Sequence, residues 1–240
     1  MLTYSNPKVQ RLRRLLGRRS SRYEEGAFVV EGLGLLTQAL GAGWTIEGCY
    51  VAPDQSVDLD VPMHHLAPNV LERVASTESP QPVIAVVAMR PREVPSAATF
   101  VLVADRLADP GNAGTIIRSA EAAGADAVVL TPGSVDPYNP KVVRASAGSL
   151  FRVPVVEADL GTLSGFRRLG TSSHRGDLYT DPVYHGRVAV VVGNEAHGLD
   201  EDAAVDQWIT IPHAGPAESL NVAMAATVLA FEVARQRSSV

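Results

Sequence analysis

The feature of this sequence that most constrains its fold is a set of short, uninterrupted apolar runs in the C-terminal part. Residues 100–104 and 188–192 contain only Phe, Val, Leu and Ala. An unbroken apolar run of this length is typical of a strand that is buried on both faces of a parallel sheet. Helical patterns separate these runs, and strands that alternate with helices indicate an α/β fold with a parallel sheet.

A proline-containing stretch divides the chain into two parts. Residues 89–98 read MRPREVPSAA and show no apolar periodicity, which is typical of a linker. We therefore expect a small α/β domain over residues 1–90, a linker over 91–98, and a larger parallel-sheet domain over 99–240.

Local patterns predict the elements of both domains. In the first domain we expect strands at 27–31, 46–52 and 82–88 and helices at 33–42 and 69–76. In the second domain we expect further strands at 127–130, 153–156, 169–172 and 208–211, and helices at 113–123, 140–150 and 219–237.

Composition limits the cellular setting. The chain has 240 residues, of which 46% are hydrophobic and 20% charged, as in ordinary globular proteins. No apolar run approaches the roughly 18 residues of a membrane helix, so we expect no membrane partner. Cys49 is the single cysteine, which excludes a disulfide within the chain and favours a cytoplasmic location.

Positive charge is concentrated at the N-terminus, although the net charge is −5. Residues 1–23 contain no acidic residue, and Leu12, Leu15 and Leu16 supply the apolar side of an expected amphipathic helix. Such a segment binds nucleic acid, or else it is a solvated helix face or a disordered arm. The candidate RNA-binding residues are Lys8, Arg11, Arg13, Arg14, Arg18, Arg19 and Arg22.

The first candidate site follows the apolar run at 100–104. Ligands of open α/β sheets bind at the carboxyl ends of the strands, so the polar loop at 105–112 is well placed. We expect Asn112 to cap the next helix. Arg118 lies six residues later, nearly two turns on, so we expect it to share a helix face with Asn112 and to bind a phosphate. A capped helix with a surface arginine is the alternative interpretation.

Two further loops carry candidate residues. After the run at 188–192, two glycines flank a polar pair in Gly193, Asn194, Glu195 and Gly198, which predicts a tight loop whose amides face a ligand. The third loop, at 209–221, places Ser219 and Asn221 at the start of the last helix. That helix is apolar nearly all round, so we expect it to be buried, with a subunit contact as one possibility.

The three loops together resemble the motifs of the SpoU/TrmH family of RNA ribose methyltransferases, within the SPOUT superfamily. The matching segments are 112–118 (N-x-G-x-x-x-R), 193–199 (G-N-E-x-x-G-L), 211–212 (I-P) and 219–222 (S-L-N-V), and the segment 139–154 is also similar. Residues 6–8 and 28–32 are similar to the small RNA-binding domain that some members carry, mostly enzymes acting on ribosomal RNA, including a thiostrepton-resistance group.

The resemblance implies a fold, a cofactor and an assembly. It implies a SPOUT domain with a C-terminal trefoil knot, S-adenosylmethionine as the methyl donor, and a homodimer whose active site lies at the subunit boundary. By position, it assigns the cofactor to Thr171, Ser172, Val192, Gly193, Asn194, Ile211, Ser219 and Leu220.

The resemblance also implies the catalytic residues, and no metal site is expected. These residues are Asn112, Arg118, Glu195, Ser219 and Asn221. We expect Arg118 to bind a phosphate beside the target ribose and to stabilise negative charge on its oxygen. We expect Asn112 to orient the ribose or Arg118, and Glu195 to position Arg118 or a substrate group.

The expected activity is methylation of a ribose 2′-hydroxyl, with ribosomal RNA as the expected substrate. The alternatives are a tRNA ribose methyltransferase, a non-catalytic RNA-binding protein, and a nucleotide-dependent oxidoreductase. The absence of a GxGxxG segment argues against the oxidoreductase.

Overall fold

The computed structural model describes residues 1–77 and 80–238. Internal contacts divide the chain into two compact units. The first consists of Met1–Pro91 with Tyr138–Phe151, and the second of Arg92–Pro137 with Arg152–Val240. The sequence-based boundaries differ from this division in two respects. Residues 138–151, expected in the second domain, belong to the first unit, and the expected linker at 91–98 is divided between the units, with 92–98 in the second.

The first unit is a four-stranded mixed sheet with helices. Its elements are α1 (Pro7–Gly17), α2 (Arg19–Glu25), β1 (Ala27–Glu31), α3 (Leu33–Gly41), β2 (Ile46–Val51), β3 (Met63–His65), α4 (Val70–Val74), β4 (Val83–Ala88), α6 (Pro140–Ala145) and a short 3-10 helix at Ser149–Phe151. The strand order is β1-β4-β2-β3. β4 pairs antiparallel with both β1 and β2, whereas β3 pairs parallel with β2. The sequence did not predict β3 or α2.

The predicted amphipathic helix at the N-terminus is confirmed as α1. Asn6 caps it by accepting a hydrogen bond from the Lys8 amide, and Pro7 occupies its first turn, where no amide donor is needed. Val9, Leu12 and Leu15, three residues apart, are fully buried in the core of the unit. The basic residues between them consequently lie on the other sides of the helix.

An aromatic cluster explains why residues 138–151 belong to the first unit. The rings of Tyr138 and Phe151 pack against Phe28, and the Phe151 ring also contacts Trp44. The Trp44 indole N–H donates to the Phe151 carbonyl at 2.9 Å. Aromatic burial of this kind depends on contacts between residues distant in sequence, so a sequence pattern could not have placed the boundary.

The second unit is the predicted parallel α/β sheet. Its elements are β5 (Phe100–Ala104), α5 (Pro110–Ala122), β6 (Ala127–Leu130), β7 (Val155–Glu157), a short 3-10 helix at Leu160–Leu163, β8 (Arg167–Thr171), β9 (Asp177–Leu178), β10 (Val188–Val192), β11 (Gln207–Thr210) and α7 (Val222–Ser238). The order is β7-β6-β5-β10-β8-β11-β9, and all neighbouring strands are parallel. The two apolar runs form β5 and β10 and are completely buried.

Strand order brings the predicted loops together. β10 lies between β5 and β8, and β11 follows β8, so the carboxyl ends of these four strands share one edge of the sheet. The loops that leave this edge contain residues 105–109, 172–176, 193–199 and 211–221. Among the described residues, no helix has both the length and the apolar character needed to cross a membrane.

Candidate active site

A cavity of about 750 Å³ lies at the carboxyl ends of these strands. We call it the loop cavity; it is lined by Asn112 and by residues of segments 171–175, 192–201, 208–213 and 218–229. Its volume is in the range of small-molecule sites. All eight residues expected to bind the cofactor line it: Thr171, Ser172, Val192, Gly193, Asn194, Ile211, Ser219 and Leu220.

Glu195 joins two of the loops. Its carboxylate accepts hydrogen bonds from the amides of Ala108 and Asp109, at 3.1 and 2.8 Å. The Asn112 side-chain amide donates to the same carboxylate at 3.1 Å. The expected pairing of Glu195 with Arg118 is absent among the described residues, and Glu195 instead fixes the loop before α5.

The same hydrogen bonds keep Glu195 ionised. Partial burial tends to raise the pKa of the carboxyl, but the amides of Ala108 and Asp109 and the side chain of Asn112 outweigh it and lower the pKa. Because the pKa is lowered on folding, this contribution to stability is fully present above the ordinary glutamate pKa. It is lost as the pH falls through the lowered value.

The side chain of Asn112 connects two other loops and does not cap helix α5. Helix α5 begins at Pro110, and Asp109 is its N-cap, accepting from the Asn112 backbone amide at 2.8 Å. This corrects the expectation that Asn112 caps the helix. The freed Asn112 side chain donates to Glu195 and accepts from the Asn221 side-chain amide at 3.1 Å.

Asn221 connects this network to the last helix. Its side-chain oxygen accepts from the amides of Ala223 and Met224, at 3.0 and 3.3 Å, which caps α7. The helix therefore starts at Val222 and not at Ser219 as expected. Ser219 lines the loop cavity ahead of the helix.

The loop after β10 closes tightly on itself. Asn194 and Gly198 exchange backbone hydrogen bonds of 3.0 and 2.9 Å, and the Asn194 side chain donates to the Arg106 carbonyl at 2.8 Å. A Cβ atom at Gly193 would lie 2.1 Å from the carbonyl carbon of Gly198, so only glycine fits there. Gly198 has a φ of +67°, which a residue with a side chain rarely adopts.

Arg118 lies apart from the other candidates. It is exposed on α5 and does not line the loop cavity. It forms no hydrogen bond or ion pair with any residue in the described ranges. The expectation that it shares one face of the helix with Asn112 fails, because six residues rotate the side chain by about 240° around the helix axis. Within one chain, the structure thus assembles four of the five expected catalytic residues.

The loop cavity fits S-adenosylmethionine by the chemistry of its lining. The peptide groups of Ile211 and Leu220 make no hydrogen bond with another described residue, so they are free to bind polar groups of a ligand. Val192 and Leu229 supply apolar surface beside them. A nucleoside with a charged amino-acid tail needs this combination of apolar contact and free backbone groups.

Sequence reasoning missed several residues of the loop cavity. Arg175 lies over the Trp208 ring, 3.9 Å from its centroid, and donates to the Glu201 carbonyl at 3.2 Å. His174 and His213 also line the cavity. None of them belongs to a recognisable motif, and only the parallel pairing of β8 with β11 brings them to one place.

The candidate RNA-binding residues of the first unit differ in their burial and in their pairing with carboxylates. Arg22 is buried, with 3% of its surface exposed, and donates to the Leu15 carbonyl at 2.7 Å, so it has a structural role and is not placed to contact RNA. Arg11 is paired with Glu25 and Glu47, and Arg14 with Glu25. The remaining expected residues, Lys8, Arg13, Arg18 and Arg19, are exposed.

Comparison with known proteins places the molecule in a class. Residues 99–231 match the SpoU rRNA Methylase family, and residues 6–85 match the MRM3-like substrate binding domain. The class defined by fold and site is thus a methylase domain joined to a substrate-binding domain. The chain belongs to the SpoU rRNA methylase family, which confirms the family inferred from the motifs.

Relatives of known name cover nearly the whole chain. The chain is 34% identical over 240 residues to the 23S rRNA (guanosine(2553)-2′-O)-methyltransferase RlmP of Bacillus subtilis, covering 95% of this chain and 96% of the relative. It is 31% identical to the 23S rRNA (uridine(2479)-2′-O)-methyltransferase of Streptomyces viridochromogenes, covering 99% and 93%. The crystal structure of the SpoU methyltransferase AviRb from S. viridochromogenes, in complex with AdoMet, superposes with a TM-score of 0.89 at 32% identity, covering 98% and 99%.

Proposed function

We propose that this protein uses S-adenosylmethionine to methylate a ribose 2′-hydroxyl in 23S ribosomal RNA. The observation that carries the proposal is the hydrogen-bonded chain from Glu195 through Asn112 to Asn221 at the wall of the loop cavity. It joins all three loops that bear the family's motifs. The named relatives act on 23S rRNA, which favours this substrate over tRNA.

Different residues of the loop cavity have different roles in the proposed reaction. When bound, S-adenosylmethionine supplies an electrophilic methyl group. The peptide groups of Ile211 and Leu220 and the loop at 193–198 hold the cofactor, and the network of Glu195, Asn112 and Asn221 keeps the loops in place. Fixed geometry of this kind lowers the barrier by aligning the reacting groups in advance.

Arg118 supplies the positive charge at the ribose oxygen. A guanidinium keeps its proton at neutral pH, so its role is to bind a phosphate and stabilise negative charge rather than to remove a proton. We propose that each Arg118 serves the loop cavity of a second copy of the chain. Its exposure, its lack of partners in the described residues and its position outside its own cavity support this arrangement.

The proposed assembly is a homodimer in which α7 lies at the contact. Met224, Val228 and Phe231 are 56%, 38% and 49% exposed on α7. Their spacing of four and three residues puts them in one apolar stripe, which a single chain leaves in water. A second copy that covers this stripe would remove it from solvent.

Two further properties complete the proposal. We propose that the C-terminal segment is threaded as a trefoil knot. The proposal is supported by the return of α7 to pack against α5 after β11 has joined the far side of the sheet.

We also propose a cytoplasmic location. The support is the single buried cysteine, Cys49, which suits a reducing compartment.

The proposed function is tested by replacing Arg118. We expect Arg118→Ala to abolish transfer of a labelled methyl group from S-adenosylmethionine to a 23S rRNA transcript. Calorimetry should still detect cofactor binding, because Arg118 does not line the loop cavity of its own chain and its proposed role is at the ribose oxygen and not at the cofactor. Arg187→Ala is the matched control, since it removes another exposed arginine of the same unit.

The outcome distinguishes the alternatives. Near wild-type turnover by Arg118→Ala would refute the assigned role. A wild-type protein that binds 23S rRNA but neither binds S-adenosylmethionine nor methylates the transcript would instead be the non-catalytic RNA-binding protein. Transfer to tRNA alone would identify the tRNA enzyme. Mapping of ribose methylation identifies the nucleotide that is modified.

A further inference from the structure

Two arginines from different helices meet at one tyrosine in the first unit. The guanidinium carbon of Arg13, on α1, lies 4.7 Å from the Tyr4 ring centroid, and that of Arg73, on α4, lies 3.7 Å from it. Gln10 holds the arrangement: its amide donates to the Tyr4 carbonyl at 2.5 Å and accepts from Arg13 at 3.0 Å. We call Tyr4, Arg13 and Arg73 the tyrosine clamp.

Among the described residues, the two positive charges of the clamp have no counter-ion. Arg13 and Arg73 are exposed, and neither forms an ion pair with a carboxylate in the described part of the chain. Arg11 and Arg14, on the same helix as Arg13, are paired with glutamates. Because both guanidinium groups lie close to the centroid of one ring, their like charges repel each other, and a bound anion would stabilise the arrangement.

The arrangement also prepares the guanidinium groups for an anion. A guanidinium stacked on an aromatic ring keeps the N–H donors along its edge available. Two such edges offer the paired hydrogen bonds that phosphate oxygens accept. Since Tyr4 and Gln10 already orient the side chains, less conformational freedom is lost on binding.

A hollow continues from the clamp along α1. It has a volume of about 410 Å³ and is lined by Gln10, Arg13, Arg14, Gly17 and Arg18. Nothing lies within 4 Å of the position of a Cβ atom at Gly17, so the hollow is open there. Arg18 has no side-chain partner among the described residues. Because Arg13 belongs to both features, clamp and hollow form one continuous cationic surface.

We propose that the tyrosine clamp binds a backbone phosphate of the RNA substrate, with the neighbouring phosphate lying in the hollow. This deepens the proposed function and rests on it. The chemistry favours a polyanion over a single ion, since cations spaced along a surface match a chain of phosphates. Tyr4 and Arg73 are thus substrate-binding residues, to which no motif of the sequence points.

The test is Arg73→Gln in the full-length protein, with a 23S rRNA transcript as the probe. We expect about 10-fold weaker RNA binding, because charge-assisted hydrogen bonds to phosphate are lost. The slope of the logarithm of the binding constant against the logarithm of salt concentration should fall in magnitude by roughly 0.7 to 0.9, the value for one phosphate contact. KM for RNA should rise, with kcat unchanged.

Two further variants sharpen the test. Arg187→Gln is the matched control, since Arg187 is also exposed and stacked, over Phe166 at 4.3 Å, and it should leave binding and slope unchanged. Tyr4→Leu keeps both charges but removes the ring, so we expect weaker binding, whereas Tyr4→Phe should bind like the wild type.

The results distinguish a failure of the clamp proposal from a failure of the proposed function on which it rests. Arg73→Gln could methylate the transcript and bind it with the affinity and the salt dependence of the wild type. In that case the proposal that the clamp binds phosphate is wrong, and the proposed function stands. An equal loss in Arg187→Gln would also overturn it, because the effect would then follow net charge. If the wild type neither binds nor methylates rRNA, the proposed function and the clamp both fail.

Discussion

At the scale of single residues, the candidate active site depends on the chemistry of one amide. Asn112 donates to a carboxylate and accepts from a second amide at the same time. An aspartate of the same size could only accept, and an alanine could do neither. The structure thus gives a physical reason for asparagine, whereas the sequence predicted a helix cap and the resemblance implied a residue that orients the ribose or Arg118.

This difference yields an ordered prediction for two variants. We expect Asn112→Ala to weaken S-adenosylmethionine binding by about 10-fold, the cost of hydrogen bonds to a charged group. Asn112→Asp should weaken it by at least about another 10-fold, because a second carboxylate would face Glu195 across the present 3.1 Å contact. Calorimetry measures the order of the affinities, and Asn112→Asp binding as well as Asn112→Ala would contradict the prediction.

At the scale of elements, the loop after β10 depends on backbone shape. The apolar run predicted the strand, and the glycines predicted a tight loop, both correctly. The contact of Gly193 with the backbone of Gly198 was beyond sequence reasoning, because it depends on how the loop folds back. In the same way, the first turn of α5 was missed because Asp109, not Asn112, supplies the cap.

A pair of glycine variants tests this element. We expect Gly193→Ala to reduce S-adenosylmethionine affinity by about 10-fold or more, because relieving local backbone strain of order 1–3 kcal/mol must displace the loop. The new Cβ would meet backbone atoms at 2.1 and 2.3 Å, which cannot rotate away. Gly215→Ala, in another loop beside the cavity, has nothing within 4 Å and should bind like the wild type. Calorimetry compares them, and equal affinities would contradict the strain argument.

At the scale of the whole molecule, one chain leaves the proposed active site incomplete. The last helix was expected to be buried because it is apolar nearly all round, yet Met224, Val228 and Phe231 remain exposed in the single chain. Arg118 likewise finds no partner in the described residues. A symmetric pair of chains would explain both observations, since each copy would cover the apolar stripe and supply the missing cation.

Complementation between two inactive variants tests this assembly. Arg118→Ala and Asn221→Ala should each be inactive alone. If Arg118 acts across the dimer, one site of a mixed dimer combines the intact Asn221 of one copy with the intact Arg118 of the other. The second site lacks both side chains. Co-expression with random pairing should therefore restore roughly a quarter of wild-type methylation. No recovery, with mixed dimers demonstrated by tandem tags, would contradict action across the dimer.

Patterns among residues that are close together in the sequence were sufficient to predict much of the structure of this protein. Continuous apolar runs determined the buried strands of the parallel sheet, because few other structures bury every side chain of a short segment. Three short motifs identified the family and several residues that line the loop cavity, among them Asn112, Gly193 and Ser219. The leucine spacing at the N-terminus predicted the amphipathic helix that the structure shows as α1.

Tertiary structure decided which of these residues are free to act. Arg22 is buried, Arg11 and Arg14 are paired with glutamates that follow them in the chain, and Arg73 joins Arg13 at Tyr4. Residues 138–151 joined the first unit through aromatic packing. The reason is the same in each case: charge pairing and burial depend on neighbours in space, which the linear order of residues does not specify.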